Sequence, residues 1–418
     1  MKGRTLSIPV VILTVILTSL ACLPTTPSAP GEPTKPASTS TATPSEPAPI
    51  PSAEAGEPQP AAPPHFSPGE RISLDSIKMV TTEAGWGLSG PYVLVTEDGG
   101  ESWQELTPPQ TLASPESARA YAAFLDEETA WVIFAQDDQI PYDASVWSSV
   151  DGGQTWRPSA PLLHEAYGDL VWAEFAAHGS GSGWLMMRGV YAGAGTHYAM
   201  QLLRSTDGGL TWTSLPGADV GVDYTSMVFA DADNGWLAWQ STGAYGAAPP
   251  AYALTGNGGA TWEVRALPAP ADAPSLFEDY EYSEPYRLNV LSVQSIRLLV
   301  GVFGYGFPPT EFAGYLYGSE DGGASWQTSP LPAGVFAPDY DLVFFDADNA
   351  LLLGRQSYRT SDGGASWQHL STVYWDAQYS FVDPLHGWAA GHMGDESALV
   401  RTTDGGAHWE IVTAVIGP

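Results

Sequence analysis

Apolar residues in this 418-residue chain come in short runs that break off at turn-forming residues. Ser226-Met227-Val228-Phe229 and Asp341-Leu342-Val343-Phe344-Phe345 are two such runs, and each reads as a strand entering a turn. A Gly-Trp pair or a variant of it follows most of these turns and opens a second strand. The copies are Glu83-Ala84-Gly85-Trp86, Glu128-Thr129-Ala130-Trp131, Gly181-Ser182-Gly183-Trp184, Asp233-Asn234-Gly235-Trp236 and Leu385-His386-Gly387-Trp388, with Asp348-Asn349-Ala350-Leu351 a weaker sixth. One unit is degenerate, with Gln294-Ser295-Ile296-Arg297-Leu298 where Gly-Trp is expected.

A third strand then ends in a phrase of the form Ser/Thr-x-Asp-Gly-Gly-x-Ser/Thr-Trp, which occurs seven times and closes at Trp103, Trp156, Trp212, Trp262, Trp326, Trp367 and Trp409. Successive closing tryptophans lie 53, 56, 50, 64, 41 and 42 residues apart, the period of a four-stranded unit. Paired glycines accept positive φ, so the chain reverses there. Asp98, Asp151, Asp207, Asp321, Asp362 and Asp404 are placed to accept hydrogen bonds from their own turns. Asn257 replaces the aspartate in the fourth copy, so a charge is not essential and the array reads as scaffold. The tryptophans supply apolar surface to wedge between sheets. The pattern predicts an all-β seven-bladed β-propeller of four-stranded antiparallel blades over residues 70–418. Ring closure stays open: the last unit ends at Trp409-Glu410-Ile411-Val412, and an extra N-terminal strand could supply a closing strand.

Composition changes abruptly ahead of the repeats. Residues 1–22 carry Lys2 and Arg4, an apolar stretch from Leu6 to Leu20 too short to span a bilayer comfortably, and then Ser19-Leu20-Ala21-Cys22. This layout resembles a lipoprotein signal peptide, with Cys22 as the acylated residue. Cys22 is the single cysteine, which rules out an intramolecular disulfide. Residues 23–69 are dominated by Pro, Ser, Thr, Ala and Glu and are expected to form a disordered tether. The expected location is the cell envelope, outside the cytoplasm and lipid-anchored.

The combination of an apolar strand, a Gly-Trp turn and an aspartate box resembles the photosystem II stability/assembly factor family of aspartate-box (BNR) propellers, over nearly all of residues 70–415. The box alone is shared with sialidases, sortilin-type receptors and xyloglucan-hydrolysing enzymes. The resemblance implies a lumenal or extracytoplasmic propeller that helps assemble membrane complexes. It leads to the expectation of a non-enzymatic, monomeric module with a protein partner in a membrane or envelope complex. A sialidase-like glycan-processing enzyme is the alternative.

Charge narrows the partners. The net charge is −32, and loss of Lys2 and Arg4 with a signal segment would make it −34. Such a surface disfavours nucleic acid and anionic lipid, so contact with a membrane is expected only through the lipid. In an up-and-down blade the Gly-Trp turns and boxes share one face, and the variable loops occupy the other, where function is expected. Candidate partner-binding residues there are Tyr191, Tyr198, Tyr245, Glu278, Asp279, Tyr280, Glu281, Tyr282, Glu284, Tyr286 and Tyr305. The stretch 277–286 reads as part of a long connector whose carboxylates could face a basic partner or Ca²⁺, although its spacing matches no calcium loop. No cofactor is expected, and the eight histidines show no ligand spacing. A sialidase needs several arginines at one carboxylate pocket. Here Arg204, Arg359 and Arg401 lie beside separate boxes, so no catalytic residues are assigned.

Overall fold

Seven antiparallel sheets, each built from four consecutive strands, make up the computed structural model. It describes residues 54–110, 112, 114–137, 139–141, 143–162, 170–179, 181–191, 198–215, 224–239, 249–280, 282–304 and 311–418. Cys22, the leader and most of the tether lie outside the described residues. Blade one comprises Ser76–Met79, Gly85–Ser89, Tyr92–Thr96 and Ser102–Glu105, and blade seven comprises Asp376–Phe381, Gly387–Met393, Glu396–Thr402 and Glu410–Val412. Between them the innermost strands are Ala118–Phe124, Leu170–His178, Tyr224–Phe229, Tyr282–Val290 and Asp341–Phe344. The predicted all-β propeller is therefore the fold, with almost no helix.

Each box holds its own turn. In blade one, Ser102 N–H donates to Asp98 Oδ1 at 2.8 Å, Thr96 Oγ1 donates to the same oxygen at 3.0 Å, and Gly100 N–H donates to Thr96 Oγ1 at 3.0 Å. Gly99 and Gly100 sit at φ 76° and 93°, a region closed to most side chains. Asn257 reproduces the pattern without charge: Thr261 N–H donates to its Oδ1 at 2.9 Å and its Nδ2 donates to Thr261 Oγ1 at 2.8 Å.

The two repeated motifs meet across the blade seams. Indole Nε1 of Trp131, Trp184, Trp236 and Trp388 donates to the carbonyl of the first box glycine in the next blade: Gly208 at 3.0 Å, Gly258 at 2.9 Å, Gly322 at 3.3 Å and Gly99 at 2.8 Å. The Trp388 bond joins blade seven to blade one and so closes the ring. Trp103 and Trp156, two of the box tryptophans, are 1% and 0% exposed, while the other five are half-buried. Where Gly-Trp is degenerate, Arg297 takes the position, bonding Glu320 and the Ser319 carbonyl and lying over Phe344.

Closure uses no exchanged strand among the described residues. Instead, Val415–Ile416 adds to the outer strand of blade one in parallel, pairing with Ser102 and Trp103. The lead-in then covers it: Gly69 N–H donates to Ile416 O and Ile416 N–H to Glu70 O, both at 2.8 Å. Further upstream, Gln59–Pro60 pairs with Trp156 and Thr155 of blade two, so the chain joins the propeller well before residue 70.

Candidate functional site

Innermost strands lack a ladder partner on the axial side, so their free N–H groups need other acceptors. Side chains of the preceding blade supply several. Glu174 of blade three accepts from Met227 N–H of blade four. Ser226 Oγ of blade four accepts from Leu288 N–H of blade five at 3.3 Å. Gln378 Oε1 and Ser380 Oγ of blade seven accept from Ile77 and Met79 N–H of blade one at 2.7 and 2.8 Å. This belt of polar side chains surrounds the central axis.

Burial perturbs its carboxyl groups. Burial pushes the Glu174 carboxyl up to about 7, opposed by the Met227 N–H and by Arg287 and Arg188. Arg287 itself is a non-glycine residue at φ 46°, at a bulge in the innermost strand of blade five. Residues held there cost about 1–3 kcal/mol of strain. The conformation brings its Nε to 2.6 Å from Asp341 Oδ1 and 3.1 Å from Tyr340 O in blade six. Burial raises the Asp341 carboxyl and Arg287 works against that rise. On blade seven, burial first and then the nearby Asp341 and Asp376 carboxylates raise the Tyr379 phenol.

The structure distributes the sequence-derived candidates differently from a loop patch. Leu276–Asp279 is a short helix with Leu276 and Phe277 in the core, leaving Glu278 and Asp279 exposed. Ser275 Oγ donates to Asp279 Oδ2 at 2.6 Å, and Tyr280 packs half-buried on the same apolar cluster. Tyr282, Glu284 and Tyr286 belong to the innermost strand of blade five. Tyr282 stacks on Phe303 at 5.2 Å, and the Tyr286 hydroxyl donates to Glu284. Tyr191 and Tyr198 are backbone register partners across a strand pair of blade three. Tyr245, Glu281 and Tyr305 lie outside the described residues. Residues such as Glu174, Arg287 and Asp341 carry no local signature, since their partners come from other blades. The one available hint was a charged residue inside an otherwise strand-like run.

Arg204, Arg359 and Arg401 stay on blades three, six and seven. Arg204 Nη2 donates to the Ala232 carbonyl at 2.7 Å and Arg401 lies 3.5 Å from Glu101, so they do not form one carboxylate pocket.

No protein-family model matches the chain. A curated xyloglucanase from Paenibacillus sp is 25% identical over 261 residues, 58% of this chain and 24% of the xyloglucanase, so the chain spans about a quarter of that relative. Among solved structures, YCF48 bound to a D1 peptide is 20% identical with a TM-score of 0.51, covering 82% of this chain and 99% of that one. YCF48 from Cyanidioschyzon merolae is 16% identical with a TM-score of 0.48, covering 82% and 98%. The chain thus defines itself as a propeller, and its fold is of the YCF48 kind.

The expectation that the chain is not an enzyme is corrected by the xyloglucanase. Boxes and Gly-Trp turns are scaffold, and a scaffold that serves binding serves catalysis equally well. The dispersed arginines argue against a sialoside pocket and leave other glycan chemistry open.

Proposed function

We propose that this protein is a propeller held outside the cytoplasm by a lipid on Cys22, whose loop face captures a polypeptide partner in the cell envelope. The observation that carries the reading is where apolar surface is left uncovered. Among the described residues the exposed large hydrophobics are Val150, Val264, Tyr374, Leu385, Met393 and Ile411, and the last four all fall within or just ahead of blade seven. Tyr374, 80% exposed, and Met393, 54% exposed, adjoin on its loop side, because Asp376 pairs with His392 two residues on from Tyr374. Exposed Tyr374 and Met393 at one end of the blade, with Asp395 and Glu396 beside them and Asp376 already paired with Arg355, suit an anchor for an apolar-tipped segment carrying a positive charge. The YCF48 structure carrying a D1 peptide supports a polypeptide as ligand for this fold.

The test places a photo-crosslinking amino acid at position 374 or, as a control, at exposed position 264 in cells. One discrete adduct from 374, weakened by Met393→Asp and by salt, is expected. Equal adducts from both positions would sink the loop-face reading. Separately, Cys22→Ala is expected to release the protein from the membrane fraction; unchanged sedimentation would remove the lipid from the proposal.

A second reading, glycan processing, has one observation in its favour, the xyloglucanase relative. Glu174, whose carboxyl burial pushes up to about 7, is the group of the polar belt suited to donate a proton. Xyloglucan and fluorogenic sialosides are the substrates to assay. Turnover lost in Glu174→Gln would establish this reading, and no turnover on either would remove it.

A further inference from the structure

Three neighbouring blades finish their outer edges differently. On blades one and two the chain's own ends add a fifth strand, Val415–Ile416 to the first and Gln59–Pro60 to the second. Blade seven has none. Its sheet stops at Glu410–Val412, which pairs with residues 399–401 on the inner side and, among the described residues, with no strand on the outer side. From there the chain crosses to blade one, and the seam at the crossing opens into a cleft of about 470 Å³ whose lining includes Ile411, Val412, Val415, Arg401, Glu101 and Asp98. Val415 N–H donates to Glu101 O at 3.2 Å and Gly417 N–H to Trp103 O at 2.9 Å, so the strap is pinned to blade one. Of the apolar lining residues Ile411 is 77% exposed, while the adjoining Val412 is buried.

We propose that the outer edge of blade seven accepts an extended, basic polypeptide segment as a fifth strand, with an apolar side chain of that segment on Ile411 and a lysine or arginine at Glu101. An open strand edge offers a row of N–H and C=O groups, so main-chain bonds supply the affinity and the flanking cleft supplies the choice. Charge selects the occupant. Asp98, Glu101 and the exposed Glu410 set three carboxylates against the one guanidinium of Arg401. The Glu101 side chain is 63% exposed and Arg401 stands 3.5 Å from it, so its oxygens are open to a closer cation. A second copy of this chain fits poorly, since each carries a net charge of −32. The chain's own residues 23–53 fit poorly too, because their many prolines lack the N–H that a ladder needs. The edge uses neither Tyr374 nor Met393, so it stands apart from the loop-face patch.

The probe is the peptide acetyl-Lys-Val-Thr-Val-Lys-Val-amide, compared with a version carrying Glu for Lys and with one N-methylated at two adjacent amides, which blocks both of its edges. Hydrogen exchange of the full-length protein is expected to slow in residues 410–416 with the lysine peptide and with neither of the others. Exchange in Glu263–Ala266, the outer strand of blade four with its exposed Val264, should stay unchanged. Calorimetry is expected to show affinity falling about tenfold or more in Ile411→Lys, and unchanged affinity in Met393→Asp. Equal binding of the N-methylated peptide, equal slowing at residues 263–266, or wild-type affinity in a folded Ile411→Lys overturns the proposal. So does faster exchange at residues 410–416 on dilution of the protein alone, which would make a second copy the occupant, or on deletion of residues 23–53, which would make it the tether.

Discussion

Asn257 shows what an aspartate box needs from its acid. The amide keeps the acceptor bonds to Thr261 N–H and Thr255 Oγ1, so Asp321→Asn is expected to lower the melting temperature less than Asp321→Ala does. Asp321→Ala removes the acceptor for Ser325 and Ser319 and should lower it by roughly 1–3 °C. The charge does matter in acid. Donation from Ser325 Oγ, then from its N–H, holds Asp321 at about 2, and Ser366 does the same for Asp362. Their folded pKa values lie below the unfolded ones, so their stabilisation is complete above about pH 4 and is lost as pH falls towards about 2. Glu174 has the opposite sign. Its folded value of about 7 lies above the unfolded value, so the native state holds the extra proton between about pH 4.5 and 7 and stability falls as pH rises through that window. Thermal melts at pH 5 and pH 8 check this: the drop in wild type should shrink in Glu174→Gln, and an equal drop would mean Glu174 is not the group responsible.

At the scale of the element, Gly-Trp and the aspartate box are two halves of one joint. The glycine ahead of the tryptophan is required for space: a Cβ on Gly183 would stand 2.1 Å from Cζ3 of Trp131 in the preceding blade. Gly183→Ala is therefore expected to cost about 1–3 kcal/mol by overpacking. Trp184→Phe loses the bond to Gly258 and shortens a fully buried ring that stacks on Phe229 and lies under Arg204, and should cost about 1–3 kcal/mol. Denaturant midpoints with unchanged m-values would check both, and wild-type midpoints in both variants would show that the joint adds nothing to stability. This joint was legible in the sequence because each half is a local arrangement of neighbouring residues. The axial belt was not, because Glu174, Ser226, Arg287 and Gln378 find their partners in other blades. The stretch 277–286 misled for a related reason. Its acids and tyrosines look solvated in sequence, yet Leu276 and Phe277 fold a helical turn into the core, and Tyr282 onward becomes the innermost strand of blade five.

For the whole molecule, closure depends on both ends of the propeller. Sequence phase indicated seven units and left the mode of closure open, and each of the seven sheets draws its four blade strands from one stretch of chain. What the phase could not show was the short strap, since two residues such as Val415-Ile416 carry no pattern of their own. Deleting residues 414–418 removes the strap and exposes Leu74 and Trp103 beside it. Hydrogen exchange should then quicken in Ser102–Glu105 and at the Trp388 seam while blades three to five stay protected; uniform protection would show the strap to be dispensable.

The order of layers at that edge also sets how the molecule meets mechanical load. The final strap is trapped between blade one and residues 69–72, and Ala414 O accepts from Ile72 N–H at 3.2 Å. A pull applied upstream of residue 54 first loads the bonds of Gly56 to Pro158 and Arg157 and the short pairing of Gln59–Pro60 on blade two, then the lead-in over the strap. The strap cannot peel from blade one until that lead-in has been lifted. Under tension from its N-terminal side, the protein therefore gives up its outermost pairings in sequence before any of the force reaches the joints that keep the ring shut.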